Sequence, residues 1–272
     1  MPLELLYEAP GLPSFDLPEE LQDRYGGSLG FDGPRLIANF VSSVDGVVAA
    51  PPIIQSSKLI SGRNDSDRFV MGFLRACADA IVIGSGTLGG SPRSLWTPDG
   101  PSPATAEAFA GLRRRRARPA NPALVVLTGS GNIDPGHPAL ERGALVLTTD
   151  GGARHLAGRL PQRSEVVSVG AGSAVDLGAA LAHLRAREYG LILSEAGPHV
   201  FGSLLSAGLV DELFLTVSPI LAGRSDGTAR LGLVEGQDLL ARGAVAGRLI
   251  SVRRDGAFLF LRYELPRAES AS

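Results

Sequence analysis

Cysteine is almost missing from this chain of 272 residues: Cys77 stands alone. One thiol forms no internal disulfide and completes no thiolate metal site, and a cytoplasmic location is the simpler reading. Its setting in LRACADAIV reads as a small buried apolar position. Charge imbalance is missing too, with 26 Lys and Arg against 28 Asp and Glu for a formal net charge of −2. That balance gives no electrostatic case for nucleic acid or an anionic membrane as a partner. No apolar run reaches the roughly 18 residues of a membrane span, and MPLELLYEAPGLPSF lacks the basic start and long apolar core of a secretory signal. The histidines at 137, 155, 183 and 199 are scattered without ligand spacing, so no metal is expected. Neither a His-x-Glu nor a Pro-Cys-x-x-Cys is present, which excludes zinc-dependent deamination. There is no internal repeat and no low-complexity tract.

What is present alternates. Residues 1–34, rich in proline and glycine with two short apolar patches, read as an arm lying over the domain. Regular structure begins at RLIANFVSS, continues in a helix over roughly Ser66 to Ala78, and returns to a strand at DAIVIG. The stretch from Gly86 to Pro103, rich in Gly, Ser and Pro, reads as loop. A helix follows near Ala104 to Arg116, and its terminal Arg113 to Arg116 run reads as a solvated helix end. Strands at ALVVLT, ALVLTT and EVVSVG and a helix from about Asp176 to Glu188 complete the pattern. Such alternation predicts an α/β fold with a mainly parallel sheet and helices on both faces. After Pro219 the runs RLISVRR and AFLFLRYEL, parted by Asp255 and Gly256, predict a C-terminal antiparallel hairpin.

Three segments carry candidate chemistry. Leu191 to Ser194 is a short strand of the kind buried on both faces; Glu195, Ala196, Gly197 and Pro198 turn the chain into a helix marked by Val200, Phe201, Leu204 and Leu205, which Gly208 stops. The first turn of that helix has unpartnered amides and the positive end of its dipole, so it suits an anion; an ordinary glycine turn is the other reading. Glu195, at the carboxyl end of a buried strand, is costly unless paired or used. Gly84 to Gly89 spells G-x-G-x-x-G, but Pro92, Pro98, Pro101 and Pro103 forbid the long helix that a Rossmann site needs, and no acid ends a following strand. Its glycines fit close approach of backbone to a phosphate, with Thr87 adding a hydroxyl, or a tight turn without a ligand. Ser42 to Gly46 reads, from its Asp-Gly, as a turn.

Taken together, Ala38 to Ala49, Leu74 to Leu88, Glu195 to Pro198, Gly208 to Leu213 and Pro219 to Gly223 resemble, in order and spacing, the reductase half of the bifunctional riboflavin-biosynthesis deaminase/reductase family. That resemblance implies a dihydrofolate reductase-like domain over residues 35–265, with 1–34 as arm and 266–272 as tail. It further implies an NADPH-dependent oxidoreductase that passes hydride to a ribosylamino-pyrimidine phosphate or a related pteridine-like small molecule. The residues implied at the cofactor are Val41, Gly84, Gly86, Thr87, Ser91, Ser130, Gly197, Pro198, His199, Val200, Phe201 and Gly202. Those implied at the substrate are Ser43, Ser57, Arg75 and Leu95. Glu195 is expected to assist proton delivery or orientation, while Asp45 and Asn39 fix the substrate. Pairing into a homodimer through the C-terminal strands is likewise implied.

The chain departs from the pattern after Thr87. The family's D-D-P and L-T-V-R are replaced by Gly89-Gly90-Ser91-Pro92 and Leu95-Trp96-Thr97-Pro98, and Arg93 precedes the leucine rather than following it. A dihydrofolate reductase-type activity, or an NADPH-binding protein without catalysis, therefore stays open beside the pyrimidine reduction.

Overall fold

The computed structural model describes residues 2–51 and 56–267, so most of the expected tail lies outside the described residues. In chain order the elements are β1 (Glu4–Glu8), α1 (Glu19–Tyr25), β2 (Arg35–Ser42), α2 (Ser56–Ile60), α3 (Asp65–Cys77), β3 (Ala80–Gly84), α4 (Ser85–Gly89), α5 (Ala106–Arg115) and β4 (Ala123–Thr128). They continue with α6 (Pro138–Glu141), β5 (Leu145–Thr148), α7 (Asp150–Leu156), β6 (Glu165–Ser168), α8 (Leu177–Ala186), β7 (Leu191–Ser194), α9 (Pro198–Ser206), β8 (Glu212–Val217), β9 (Arg248–Asp255) and β10 (Phe258–Glu264).

All ten strands join one sheet in the order β1-β9-β10-β8-β2-β7-β3-β4-β5-β6. From β8 to β6 every pairing is parallel, whereas β10 meets β8, β9 meets β10 and β1 meets β9 antiparallel. This is the α/β architecture expected from the sequence, a mainly parallel sheet with helices on both faces and a C-terminal antiparallel hairpin. The central strands β3 and β7 are apolar and buried along their whole length because helices cover both faces. One face packs Phe69, Phe73, Leu74 and Cys77 of α3 with Phe109 and Leu112 of α5. The other packs Ala180 and Leu184 of α8 with Phe201 and Leu204 of α9, and Phe201 lies 4.9 Å from the Phe40 ring of β2. Each Phe or Leu among them, moved fully out of water, contributes about 1.5–3 kcal/mol. Gly208 ends the α9 segment at φ +63, a conformation that favours glycine.

Several local expectations change. The N-terminal segment is built into the domain: β1 forms the sheet edge, and Leu21, Tyr25 and Leu29 are buried in the core. Both edges of the hairpin strands are thereby paired, so a second copy approaching β9 and β10 meets their faces rather than their backbones. The hairpin turn is Gly256-Ala257, with Gly256 at φ +56, because Asp255 is still paired with Phe258. A single-turn helix, α4, opens at the glycine motif where loop was expected, and α2, α6 and α7 are additional short helices. Arg113 is not a solvated helix end. It is 1 % exposed and donates to the carbonyls of Ala76 and Ala78 at 3.1 and 2.7 Å, satisfying the C-terminus of α3. Arg116 binds the Cys77 carbonyl and stacks on Phe15, while Arg114 and Arg115 form surface ion pairs with Glu107 and Asp16.

The Gly-Leu-Val-Asp-Glu-Leu block is a structural joint. The Asp211 carboxylate accepts from the Leu36 amide at 2.7 Å, which locks β8 beside β2. Glu212, buried, is held by Arg262 of β10 at 2.7 Å and by Arg35 at 3.6 Å.

Candidate active site

The carboxyl ends of β2, β3, β4 and β7 open into one cleft of about 1640 Å³. Pockets for single small ligands measure roughly 300–1,000 Å³, so the cleft has room for a dinucleotide and a second molecule. Four turns build its walls: Asn39 and Val41 come from β2, Gly84 to Thr87 follow β3, Thr128 and Gly129 follow β4, and Glu195 to Val200 follow β7.

One side of the cleft is main chain. Helix α9 starts at Gly197 with no side chain capping its first amides, and Pro198 occupies the first turn. Helices α3, α7 and α8, by contrast, are capped by Asn64, Thr149 and Asp176. Polar donors left bare at the positive end of a helix dipole are suited to an anion. The start of α9 lies within van der Waals reach of a side chain placed on the neighbouring turn. A Cβ on Gly84 would stand 3.4 Å from Val200, and one on Gly197 would stand 3.9 Å from the Thr87 hydroxyl. Gly86 faces open space.

Another part of the lining is made of charged side chains. Arg75 of α3 reaches across to Glu195, its Nε and Nη2 donating to the two carboxylate oxygens at 2.7 and 2.6 Å. The two side chains are 7 % and 10 % exposed, and Arg75 Nη1 also donates to the Thr97 carbonyl at 3.2 Å. This fork fixes the guanidinium and ties down the segment carrying Leu95 and Trp96. Trp96 itself stands at φ +52, although 4 % exposed, a strained conformation for a bulky residue held by burial and by the His137 ring at 5.9 Å. Asp67, in the first turn of α3, is buried on the same wall. Burial pushes its carboxyl up to about 6; the Thr216 hydroxyl opposes this shift and the charge of Glu195 adds to it.

The structure brings most of the expected residues together. Asn39, Val41, Ser57, Arg75, Gly84, Gly86, Thr87, Ser91, Leu95, Glu195, Gly197, Pro198, His199 and Val200 all line the cleft. Others stand elsewhere. Asp45 is a clamp between loops: Oδ1 accepts from the Ser43 hydroxyl at 2.5 Å and from the Ala222 amide at 3.0 Å, and Oδ2 accepts from the Gly223 amide at 2.8 Å. Those donors, the Ser43 hydroxyl first, hold its carboxyl down at about 2. In this structure Asp45 joins the Ser42–Gly46 turn to Pro219–Gly223 and is not among the residues lining the cleft. Ser43, 1 % exposed, takes part in the same clamp. Ser130 turns away to accept from the Asn132 amide at 3.2 Å, leaving Thr128 and Gly129 on the wall. Phe201 points into the core, and Gly202 lies under the segment after β8, where a Cβ would meet the Glu235 carbonyl at 2.7 Å. Glu195 keeps its place but, with both oxygens accepting from Arg75, has an orienting rather than a proton-delivering geometry. Asp67 is the residue that sequence reasoning missed. Its spacing from Val70 and Leu74 puts an acid on the apolar stripe of α3, and that was the available signal.

Among the described residues no cluster of three or more His, Cys, Asp or Glu could hold a metal ion. Among them, also, no helix is long and apolar enough to cross a membrane.

The profile of one protein family, the RibD C-terminal domain, matches residues 34–258. The chain belongs to that family. No curated protein matches the chain. Among solved structures, a pyrimidine reductase-like protein from Corynebacterium diphtheriae is 23 % identical, with 93 % of this chain and 96 % of that one covered and a TM-score of 0.65. Acinetobacter baumannii RibD is 19 % identical over 86 % of this chain and 59 % of its own, with a TM-score of 0.63. A diaminohydroxyphosphoribosylaminopyrimidine deaminase/5-amino-6-(5-phosphoribosylamino)uracil reductase from Thermotoga maritima is 18 % identical over 86 % and 57 %, with a TM-score of 0.62. This chain thus spans somewhat more than half of the two longer chains, and at these identities the likeness is one of fold.

Proposed function

We propose that the protein is an NADPH-dependent reductase acting on a ribosylamino-pyrimidine phosphate or a close relative. Membership of the RibD C-terminal domain family supports this reading. The observation that carries it is the uncapped start of α9 sharing a cleft with the Gly84–Thr87 turn. Both turns offer backbone amides at the carboxyl ends of parallel strands, the chemistry that a pyrophosphate selects. Gly84, Gly86, Thr87, Ser91 and the Pro198–Val200 turn are the residues proposed to hold the dinucleotide, with Thr128 and Gly129 towards its adenosine end. When bound, NADPH supplies hydride.

The chain's own part is placement. Arg75, fixed by Glu195, presents a rigid cation to the acceptor, and Asn39 presents a neutral side chain that both donates and accepts. Ser57, Leu95 and Arg93 also line the cleft. We place the protein in the cytoplasm and expect a homodimer, which sedimentation at equilibrium checks. The decisive assay follows loss of dihydronicotinamide absorbance with 5-amino-6-(5-phosphoribosylamino)uracil and, separately, with dihydrofolate. Turnover with the first and not the second supports the proposal. NADPH binding with turnover on neither contradicts it and favours a non-catalytic binding protein.

A further inference from the structure

With Glu195 committed to Arg75, the described residues leave two other carboxylates on the cleft wall, Asp67 and Asp99. Asp99 is exposed on the loop between α4 and α5. Asp67 is 6 % exposed, yet it lines the cleft a little over two helical turns from Arg75 on α3. Its backbone is fixed, since the Asp67 amide donates to the capping Asn64 side chain at 2.8 Å. A buried carboxyl without a cationic partner is expensive as an anion and is retained where a neutral acid is useful.

We propose that Asp67 is the proton donor of the reduction, an assignment that rests on the reductase reading above. The acceptor carbon of a C=N group takes the hydride, forming a C–H bond as the π pair moves to nitrogen. The Asp67 O–H bond breaks and an N–H bond forms, so the acceptor gains one hydride and one proton. NADPH leaves oxidised, Asp67 is left as a carboxylate, and water entering the cleft returns its proton. With a carbonyl acceptor the proton goes to oxygen in the same way. Burial holds the Asp67 carboxyl up at about 6, where an appreciable protonated fraction persists near neutral pH.

The charged groups that share this wall bear on that titration. On α3 itself Arg68 lies next to Asp67 and is drawn to Asp65 at 3.6 Å, while Arg75 is neutralised by Glu195. Lys58 of α2 and Arg63 of the following turn border the cleft from the segment before α3. From β8, Thr216 contributes a hydroxyl and no charge.

The test compares wild type with Asp67→Asn and Asp67→Glu, using thermal unfolding to verify folding and calorimetry to measure NADPH affinity. Two readouts decide it: the pH dependence of kcat, and titration of side-chain carboxyls by 13C NMR on the protein without acceptor. The expected result for Asp67→Asn is unchanged NADPH affinity, a fall in kcat of about a hundredfold or more, and loss of the wild-type decline in rate as pH rises through the carboxyl's range. Asp67→Glu restores part of the rate and the decline. In wild type one carboxyl signal titrates near 6, and that signal is absent from Asp67→Asn. An Asp67→Asn enzyme with near wild-type kcat or an unchanged pH profile overturns the assignment alone, as does an Asp67 carboxyl titrating in the ordinary range. A wild type that binds NADPH but reduces no acceptor overturns the assignment together with the reductase reading.

Discussion

Two parts of the cleft lining are made from different materials. Around Gly84, Gly86 and Gly197 the wall is backbone, and the uncapped start of α9 offers amide donors. The rest of the lining that matters here is Asp67, Arg75 and Glu195, ionisable groups that the fold has buried, two of them paired as ions. A backbone wall is held by the secondary structure that creates it. A buried ion pair is held only while each charge keeps its partner, so a single substitution in it should act far more strongly.

The most severe test of that contrast is Arg75→Ala, which strands Glu195 in a site only 10 % exposed. A loss of about 3–5 kcal/mol in denaturant unfolding is expected, and Arg75→Ala/Glu195→Ala should recover a large part of it. Equal stabilities for wild type and Arg75→Ala would erase the distinction between the walls. Next comes Asp67, whose folded-state carboxyl is raised from 3.8 to about 6. A raised acid makes the fold bind more protons than the unfolded chain, so its contribution is present below 3.8 and is lost as pH rises through about 6. Asp67→Asn should therefore gain on wild type between acid and neutral pH, by about 3 kcal/mol at about 1.4 kcal/mol per unit. Parallel stability curves for the two proteins would contradict the burial account.

On the backbone wall Gly86→Val should behave in the opposite manner. A Cβ there meets nothing within 4 Å, so the unfolding midpoint stays close to wild type. NADPH affinity should nonetheless fall at least about tenfold, equivalent to about 1.4 kcal/mol; unaltered affinity would move the dinucleotide away from this turn. The smallest effect is expected at Asp45→Asn, which weakens the clamp on the loop after β8. Amide exchange at Ala222 and Gly223 should accelerate while NADPH affinity holds, and Asp45's stabilisation, lost in wild type as pH falls from 3.8 towards about 2, should be missing.

The same contrast explains what could be read in advance. The parallel strands, α3, α8, α9 and the hairpin follow from apolar periodicity and glycine punctuation, which are local properties of the chain. The backbone wall was legible for the same reason, since Gly84, Gly86 and the Gly197-Pro198 start of α9 carry their meaning in sequence order. Burial of charge was not. Arg113 looks like any cation at a helix end until the end of α3 is packed against it, and Asp67 looks like an ordinary first-turn acid until β8 closes over it. Asp45 shows the reverse: its turn was recognised, but its partners, Ala222 and Gly223, lie far along the chain. The N-terminal strand was hidden because edge pairing with β9 depends on a hairpin formed by the other end of the chain.

Titrating NADPH into the wild-type protein in a calorimeter bears most directly on the claim that a dinucleotide lies across the β3–α4 and β7–α9 turns. Saturable binding of one NADPH per chain, weakened by Gly86→Val and by added inorganic pyrophosphate, is the predicted result. No heat of binding with either NADPH or NADH would contradict it.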